Sequence, residues 1–558
     1  MPSFIQNWPL HAALLLTFNC SLTWLNLVSK EVPEPYLDEF FHVPQAQKYC
    51  DGDYTWDPKI TTPPGLYIVA KLFKPLLGCS TASLRALNIA AICLICLVSY
   101  SILRTLRTPR SQNAPLNVKD GDKDPDLNDS TLILDANTAL NIALFPPLFF
   151  FSALFYTDVM STLVVLLSFH MFLKRSTFGN LLQSIGTIFI GVVALFFRQT
   201  NIFWVAVFPA GLAVIDALKA RAPSSTSKKP HIVGDILRES WNNGLVHDCA
   251  LKHASLQDYG LLVVTVAIAA MRSPALVLQV ASPYLVLLVL FASFVIWNGS
   301  VVLGDKSAHT ATIHLPQMLY IWPYIAFFSA PLVVGPMARP AVMLLPKQFQ
   351  ALFERYHITP TTSKFPEILS VGLFILGAFL AVHFNTIIHP YTLADNRHYV
   401  FYVFRILRRH PAIRYLAVPA YYACAWLVTN AVGASPNDEQ PLKQKRENGH
   451  PTNIKTGRTP CQISFFTIWL AATALSVVTA PLVEPRYFII PWIIWRLHVP
   501  SASASLPSQE RCIRSWYDLR LGLETLWLLV VDVAVTYIFL YRGFEWPSEP
   551  GKLQRFLW

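Results

Sequence analysis

The chain is short of charge. Only 14% of its 558 residues are Asp, Glu, Lys or Arg, against 53% hydrophobic, and its mean hydropathy is +0.41. Soluble domains need a more polar surface than this composition supplies, so it excludes a string of them and implies a chain with many membrane spans. Also missing are the motifs of nucleotide, serine-nucleophile and zinc-protease chemistry: no P-loop, GxGxxG, GxSxG or HExxH occurs. The nine cysteines form no CxxC…CxxC zinc pattern; Cys93 and Cys96 lie within an apolar run and read as small packing residues. A lone D-x-D, Asp51 to Asp53, is too little for a nucleotide-sugar site, so neither metal nor cofactor is expected. No basic n-region precedes Pro9–Val28 and no small-residue cleavage site follows it, which predicts an uncleaved first span. The net charge of +11 is carried by loops between apolar runs, where it orients the chain in a bilayer; nucleic acid is not an expected partner.

What is present is a series of apolar runs, at approximately 10–28, 83–103, 137–155, 158–173, 180–197, 202–218, 284–303, 315–336, 366–388, 412–432, 463–482, 486–497 and 521–541. At about 20 residues per crossing these predict an all-α polytopic membrane protein with roughly 13 transmembrane helices, in one domain over 1–558. Segment 258–283 is apolar but interrupted by Arg272, Pro274 and Pro283, and reads either as a surface or re-entrant helix or as an extra span. The long Lys/Arg-bearing connections, among them 104–133, 219–283 and 433–462, fall on one side, which the positive-inside rule makes cytosolic. Every compact polar motif falls on the other side: the first loop 29–82, Thr157-Asp158, RQTN, GDKSAH, ADNRHY and VEPRYF.

That first loop is the densest in chemistry. Asp38 and Glu39 are its candidate bases, since carboxylates beside a bilayer are costly unless solvated or paired. Asp38, His42 and Gln45 would share a helix face, although Pro44 predicts either a helix starting near Val43 or a kink. Thr62 is placed to cap a helix that Pro63 or Pro64 would open. Cys50 and Cys79 could pair if the loop is lumenal. On the same face stand four cations, Arg198, Lys306, Arg397 and Arg486, suited to an anionic substrate or to ion pairs with Asp305, Asp395 and Glu484. His309 and His398 are further donors, and Trp56 could stack on a sugar. A transporter or lipid scramblase is the alternative class; against it, the polar residues crowd one face rather than the midplane.

DEFFHVPQAQKYC, WDPKITTPPGLY, NIALFPPLFFFSALFYTD, FFRQTNIFWV, WNGSVVLGDKSAH, HPYTLADNRHYVFY, EPRYFIIPWIIWRL and WPSEPGKLQRFLW occur in order from Tyr36 to Trp558. Together they resemble the endoplasmic-reticulum α-1,2-glucosyltransferases that add the last glucose to the dolichol-linked oligosaccharide. The resemblance implies a GT-C-type glycosyltransferase in the endoplasmic reticulum membrane, its site formed by lumenal loops. It implies dolichyl-phosphate-glucose as donor and the diglucosylated dolichol-diphosphate oligosaccharide as acceptor. Inversion at the anomeric carbon then calls for one base, Asp38 or Glu39. Substrate contacts are expected from His42, Gln45, Trp56, Arg198, Lys306, His309, Asp395, Arg397, His398 and Arg486.

Overall fold

The structure is a computed structural model describing residues 7–107, 125–177, 180–222, 232–306, 312–350, 366–387, 390–434, 460–480, 482–501, 518–547 and 549–558. Among the described residues it is mostly helical, with one two-stranded hairpin, β1 (Phe544–Trp546) against β2 (Glu549–Gln554). Among the described residues, seven helices are long and apolar enough to cross a membrane, or eight if the pair Thr131–Ala143 and Pro146–Ala153, bent by 57°, makes one span. Three more apolar helices, Thr157–Leu173, Leu181–Leu195 and Ile463–Val477, are shorter.

The expected 13 spans are therefore not matched one for one. The run at 486–497 is the ten-residue helix Ile489–His498, packed inside the protein with Trp492, Trp495 and Leu497 buried. The run at 315–336 breaks into Gln317–Phe328 and short successors beginning at Ala330 and Gly335. Segment 258–283 is resolved into two helices, Leu256–Arg272 and Pro274–Asn298, divided at Ser273; Pro274 opens the second and Pro283 lies within it. Hydropathy alone does not separate a lipid-facing run from one buried against other helices.

Helix α1 (Trp8–Glu31) packs on the central α2 (Thr81–Arg107), which also carries Pro125–Ala143 and Thr157–Leu173 against it. Ala86, Ala90, Ala91 and Ser99 leave α2 slim enough for that many neighbours. A polar side chain buried in α2 deals with a place where nearby backbone leaves helix geometry. Residues 154–156 are extended between two helices, and Asn88 Nδ2 donates to the carbonyls of Leu154 (2.7 Å) and Tyr156 (3.1 Å). Unsatisfied peptide groups at such depth would cost several kcal/mol, so the break survives because Asn88 is there.

A second buried node joins the far end of the bundle. Arg496 Nη2 lies 2.6 Å from Glu524, whose carboxylate also accepts from Asn141 Nδ2 at 2.7 Å, and both charged side chains are shielded from solvent. Replacing one partner strands the other as an uncompensated buried charge. Arg496→Met is expected to cost about 3–5 kcal/mol of stability, read as a lowered thermal unfolding midpoint in detergent, with the double change Arg496→Met/Glu524→Gln recovering part of it.

Candidate active site

The first loop enters through a tight turn. Leu37 has φ +51°, a left-handed conformation uncommon for a residue with a side chain, and it points the Asp38 amide at the Tyr156 hydroxyl, which accepts it at 3.2 Å. The helix Glu39–Asp51 then starts at Glu39, ahead of the predicted start near Val43, and carries Pro44 in its interior. Asp38 stands at the cap position, but its side chain caps no amide. It reaches across the chain instead: Asp38 Oδ2 accepts from Arg486 Nη1 at 3.0 Å, and among the described residues no hydrogen bond engages Oδ1. The Asp38 side chain is 43% exposed, in contrast to its neighbour in sequence.

Its neighbour has the opposite environment. Glu39 is fully buried; Oε1 accepts from Arg85 Nε (2.9 Å) and the Phe155 amide (2.7 Å), and Oε2 from Arg85 Nη2 (2.6 Å) and the Tyr36 amide (3.1 Å). Arg85 Nη1 and Nη2 also donate to the Val32 and Glu34 carbonyls. Four donors leave this carboxylate no free acceptor site for a substrate proton. Sequence reasoning passed over Arg85, although a lone arginine inside an apolar run is itself a signal.

Arg486 is the hub of the charged cluster. It lies 2.8 Å from Glu484, the ion pair expected from EPRY, and 3.8 Å from Asp158 Oδ2, while Asp158 Oδ1 accepts from Arg198 Nη1 at 2.8 Å. Asp158 is buried at the start of Thr157–Leu173 and was not among the expected site residues; its place in FYTD on the polar-motif face was the available clue. Burial alone would raise the Asp38 carboxyl, but the Arg486 guanidinium, with His42 and His398 behind it, outweighs that and holds it below the usual carboxylate range. Burial depresses His42, so it is neutral near pH 7, with Nδ1 2.6 Å from the Tyr67 hydroxyl.

Two glycines press the remaining loops against this centre. A Cβ on Gly65 would sit 2.5 Å from the Phe196 carbonyl, and Gly65 N–H donates to that oxygen at 2.8 Å, which fixes RQTN and Arg198 beside ITTPPG. The helix Gly65–Leu77 begins there without the cap expected from Thr62. Gly304, at φ +60°, has the Pro58 and Ile60 carbonyls within 2.4 Å of where a Cβ would stand, and so lays GDK on WDPKI. Lys306 at that edge is exposed and donates to the Asn298 carbonyl, with no contact to Asp38. His309 lies outside the described residues.

Gln45 and Trp56 are turned to holding the loop. Gln45 donates to the Thr55 carbonyl (2.8 Å) and accepts from the Asp57 amide (3.0 Å), and Trp56 Nε1 reaches the Ile60 carbonyl at 3.3 Å. A disulfide, Cys50–Cys79, closes it. Arg397 belongs to a neighbouring cluster: it pairs with Asp395 at 2.7 Å, donates to Gln554 and lies over the Trp546 ring. His398 Nε2 is 3.7 Å from Asp395, and its Nδ1 contacts the Trp558 carbonyl oxygen at 3.0 Å. The tail links the two clusters, because the Arg555 amide donates to the Tyr36 hydroxyl (2.7 Å) and Leu557 N–H to the Arg397 carbonyl (3.0 Å). Among the described residues, the group with metal-ligand character is His247, Cys249 and Asp258, with ligand atoms within 4.8 Å of one another; none belongs to the Asp38 cluster.

The family model of the DIE2/ALG10 family matches residues 32–497. The chain is similar to the protein named Dol-P-Glc:Glc(2)Man(9)GlcNAc(2)-PP-Dol alpha-1,2-glucosyltransferase in Aspergillus fumigatus, at 40% identity over 96% of each chain. The proteins of the same name in Emericella nidulans and Homo sapiens are 41% identical over 96% of each chain and 31% identical over 99% of each. No solved structure matches.

The two adjacent carboxylates should separate by stability. Glu39→Gln leaves Arg85 buried beside a neutral amide and is expected to cost about 3 kcal/mol or more. Asp38→Asn, on an accessible side chain, should leave the unfolding midpoint within about 2 °C of the parent protein in the same detergent.

Proposed function

This chain belongs to the DIE2/ALG10 family, and from that premise we propose how its residues carry out glucosyl transfer. It is a dolichyl-phosphate-glucose-dependent α-1,2-glucosyltransferase that adds glucose to the diglucosylated dolichol-diphosphate oligosaccharide. The transporter reading has no observation in its favour. We assign the base to Asp38, and the observation that carries this is its partly exposed carboxylate, with one oxygen not engaged by the described residues, beside the saturated Glu39.

The reaction is a single displacement with inversion. The acceptor 2-hydroxyl oxygen attacks the anomeric carbon as the bond from that carbon to the phosphate oxygen breaks, and the hydroxyl proton passes to Asp38 Oδ1. Dolichyl phosphate departs carrying the electron pair of the broken bond. As a phosphate it is already a weak base and needs no protein acid, but its growing charge needs a nearby cation. Arg486 is that cation, anchored by Glu484 and touching the same space as the base. Arg198 supports it through Asp158. Glu39, Gln45 and Trp56 act as positioning residues. His42 stays neutral behind the base, and His398 lends it positive potential from the neighbouring Asp395 cluster.

In this reading the protein is a GT-C-type enzyme of the endoplasmic reticulum membrane with the first loop in the lumen. The Cys50–Cys79 disulfide supports that side, since such bonds persist in oxidising compartments. Asp53→Asn, which turns the exposed DYT at 53–55 into an N-x-T acceptor, tests it: the variant should gain one glycan removable by endoglycosidase, and an unmodified band would count against lumenal placement.

Purified Asp38→Asn should lose at least about 1000-fold in kcat with donor KM little changed, as expected when a general base is removed. Near-normal turnover would move the base elsewhere. The acid limb of kcat/KM should lie below the ordinary carboxylate pKa of about 4, because Asp38 is held down by Arg486. In Arg486→Gln that restraint is gone, the Asp38 carboxyl rises, and the limb should move to higher pH. A limb that does not move would dissociate the two residues.

A further inference from the structure

Ten residues beyond the Asp395 cluster the chain reads RILRRHPAIR, with Arg405, Arg408, Arg409 and Arg414 close together. They sit at the end of the helix Tyr399–Leu407 and the start of Pro411–Gly433. Among the described residues none of the four is paired with a carboxylate, in contrast to Arg198, Arg397 and Arg486. Arg414 Nη2 donates to the Tyr415 hydroxyl at 3.0 Å and its guanidinium lies near that ring, but its Nε is buried with no partner.

These cations edge a cavity of about 230 Å³ walled by Tyr320, Phe404, Leu407 and Tyr421, with Arg408 and Arg414 among its lining. A second, open recess lies against Arg405, Arg408 and Arg409. Val403, Ile406 and Leu416 project outward and exposed on the same two helices, so charged and apolar surface meet there as at a bilayer boundary. An apolar chamber bordered by unpaired guanidiniums fits an amphiphile with an anionic head and a hydrocarbon chain.

Charge decides which lipid phosphate belongs there. Around Asp38 the two guanidiniums of Arg486 and Arg198 face the three carboxylates of Asp38, Glu484 and Asp158, leaving no surplus to neutralise a diphosphate. The acceptor in the relatives' name, Glc(2)Man(9)GlcNAc(2)-PP-Dol, carries its diphosphate at the opposite end of the oligosaccharide from the glucose that reacts. Its diphosphate can therefore lie away from the base, whereas the donor phosphate must lie beside it. We propose that the cavity between Gln317–Phe328, Ile368–Asn385, Tyr399–Leu407 and Pro411–Gly433 seats the acceptor's lipid diphosphate, with Arg408 and Arg414 as its principal ligands. This rests on the glucosyltransferase reading above.

The test compares two acceptors with purified full-length protein: the dolichol-diphosphate oligosaccharide and the same diglucosylated glycan released from its lipid diphosphate. Arg408→Gln, on an exposed side chain, and Arg414→Gln should each raise the KM for the lipid-linked acceptor about 10- to 100-fold, the scale of a lost charge-assisted contact. Donor KM, kcat and the KM for the released glycan should be unchanged, and Arg408→Lys should recover part of the loss. Equal effects on both acceptors, or none on either, would overturn the proposal while leaving the enzyme's activity established. If Arg408→Gln instead loses only retention of anionic phospholipid, measured with phosphatidylserine vesicles, and acceptor KM stays put, the occupant is bulk lipid and the acceptor assignment is wrong. Parent protein that transfers glucose to neither acceptor would strike at the transferase reading itself.

Discussion

The buried pair of Glu39 and Arg85 is the fastening on which the reacting centre depends. One carboxylate binds a guanidinium from the central helix, the amide of Phe155 in the extended break, and the amide of Tyr36 in the opening turn. Three separate parts of the chain are thereby fixed to a common point. Asp38 is the next residue in sequence and inherits that rigidity without sharing the burial. Desolvating such a pair is expensive and repays itself only when every remaining donor and acceptor is used, which is the situation at Glu39. Adjacent acids with identical chemistry thus divide into one whose acceptor sites are all taken and one bonded through a single oxygen.

The same economy governs the cations. Arg486 serves Glu484, Asp38 and, at longer range, Asp158, so it is oriented before any substrate arrives and needs little reorganisation to meet new negative charge. This preorganisation has a cost in net charge: the centre holds more carboxylate than guanidinium. The arginines after His398 are arranged the other way, unpaired and beside apolar surface. A substrate with phosphate at one end and a reacting sugar at the other would meet both regimes in a single binding event.

Much of this was legible in the sequence, for reasons that are local. DEFFH and EPRY announced a carboxylate and an arginine on one membrane face, and the structure brings Asp38 and Arg486 into contact across 448 positions. The pairs Arg397–Asp395 and Arg486–Glu484 were visible as neighbours two apart. What sequence could not decide was which residues of a motif face substrate and which face the protein. Glu39, Gln45 and Trp56 have the chemistry of a site but their partners come from Arg85, Thr55 and Ile60, contacts no spacing rule supplies. Lys306 kept its position on the polar face yet found a backbone carbonyl. The span count is not matched one for one among the described residues for a related reason, since Ile489–His498 is as apolar as a lipid-facing helix while its tryptophans are packed by protein.

The contact between Tyr36 and Arg555 joins residues 519 apart. During synthesis the opening turn leaves the ribosome long before the stretch that steadies it, and Asp38 is inserted at the membrane surface with one wall of its surroundings still untranslated. A contact this distant in sequence can form only once both of its ends exist, so the packing of the opening turn against the tail is completed late. Timing is thus written into the fold: the turn that precedes Asp38 gains this partner only after nearly all of the sequence has been read.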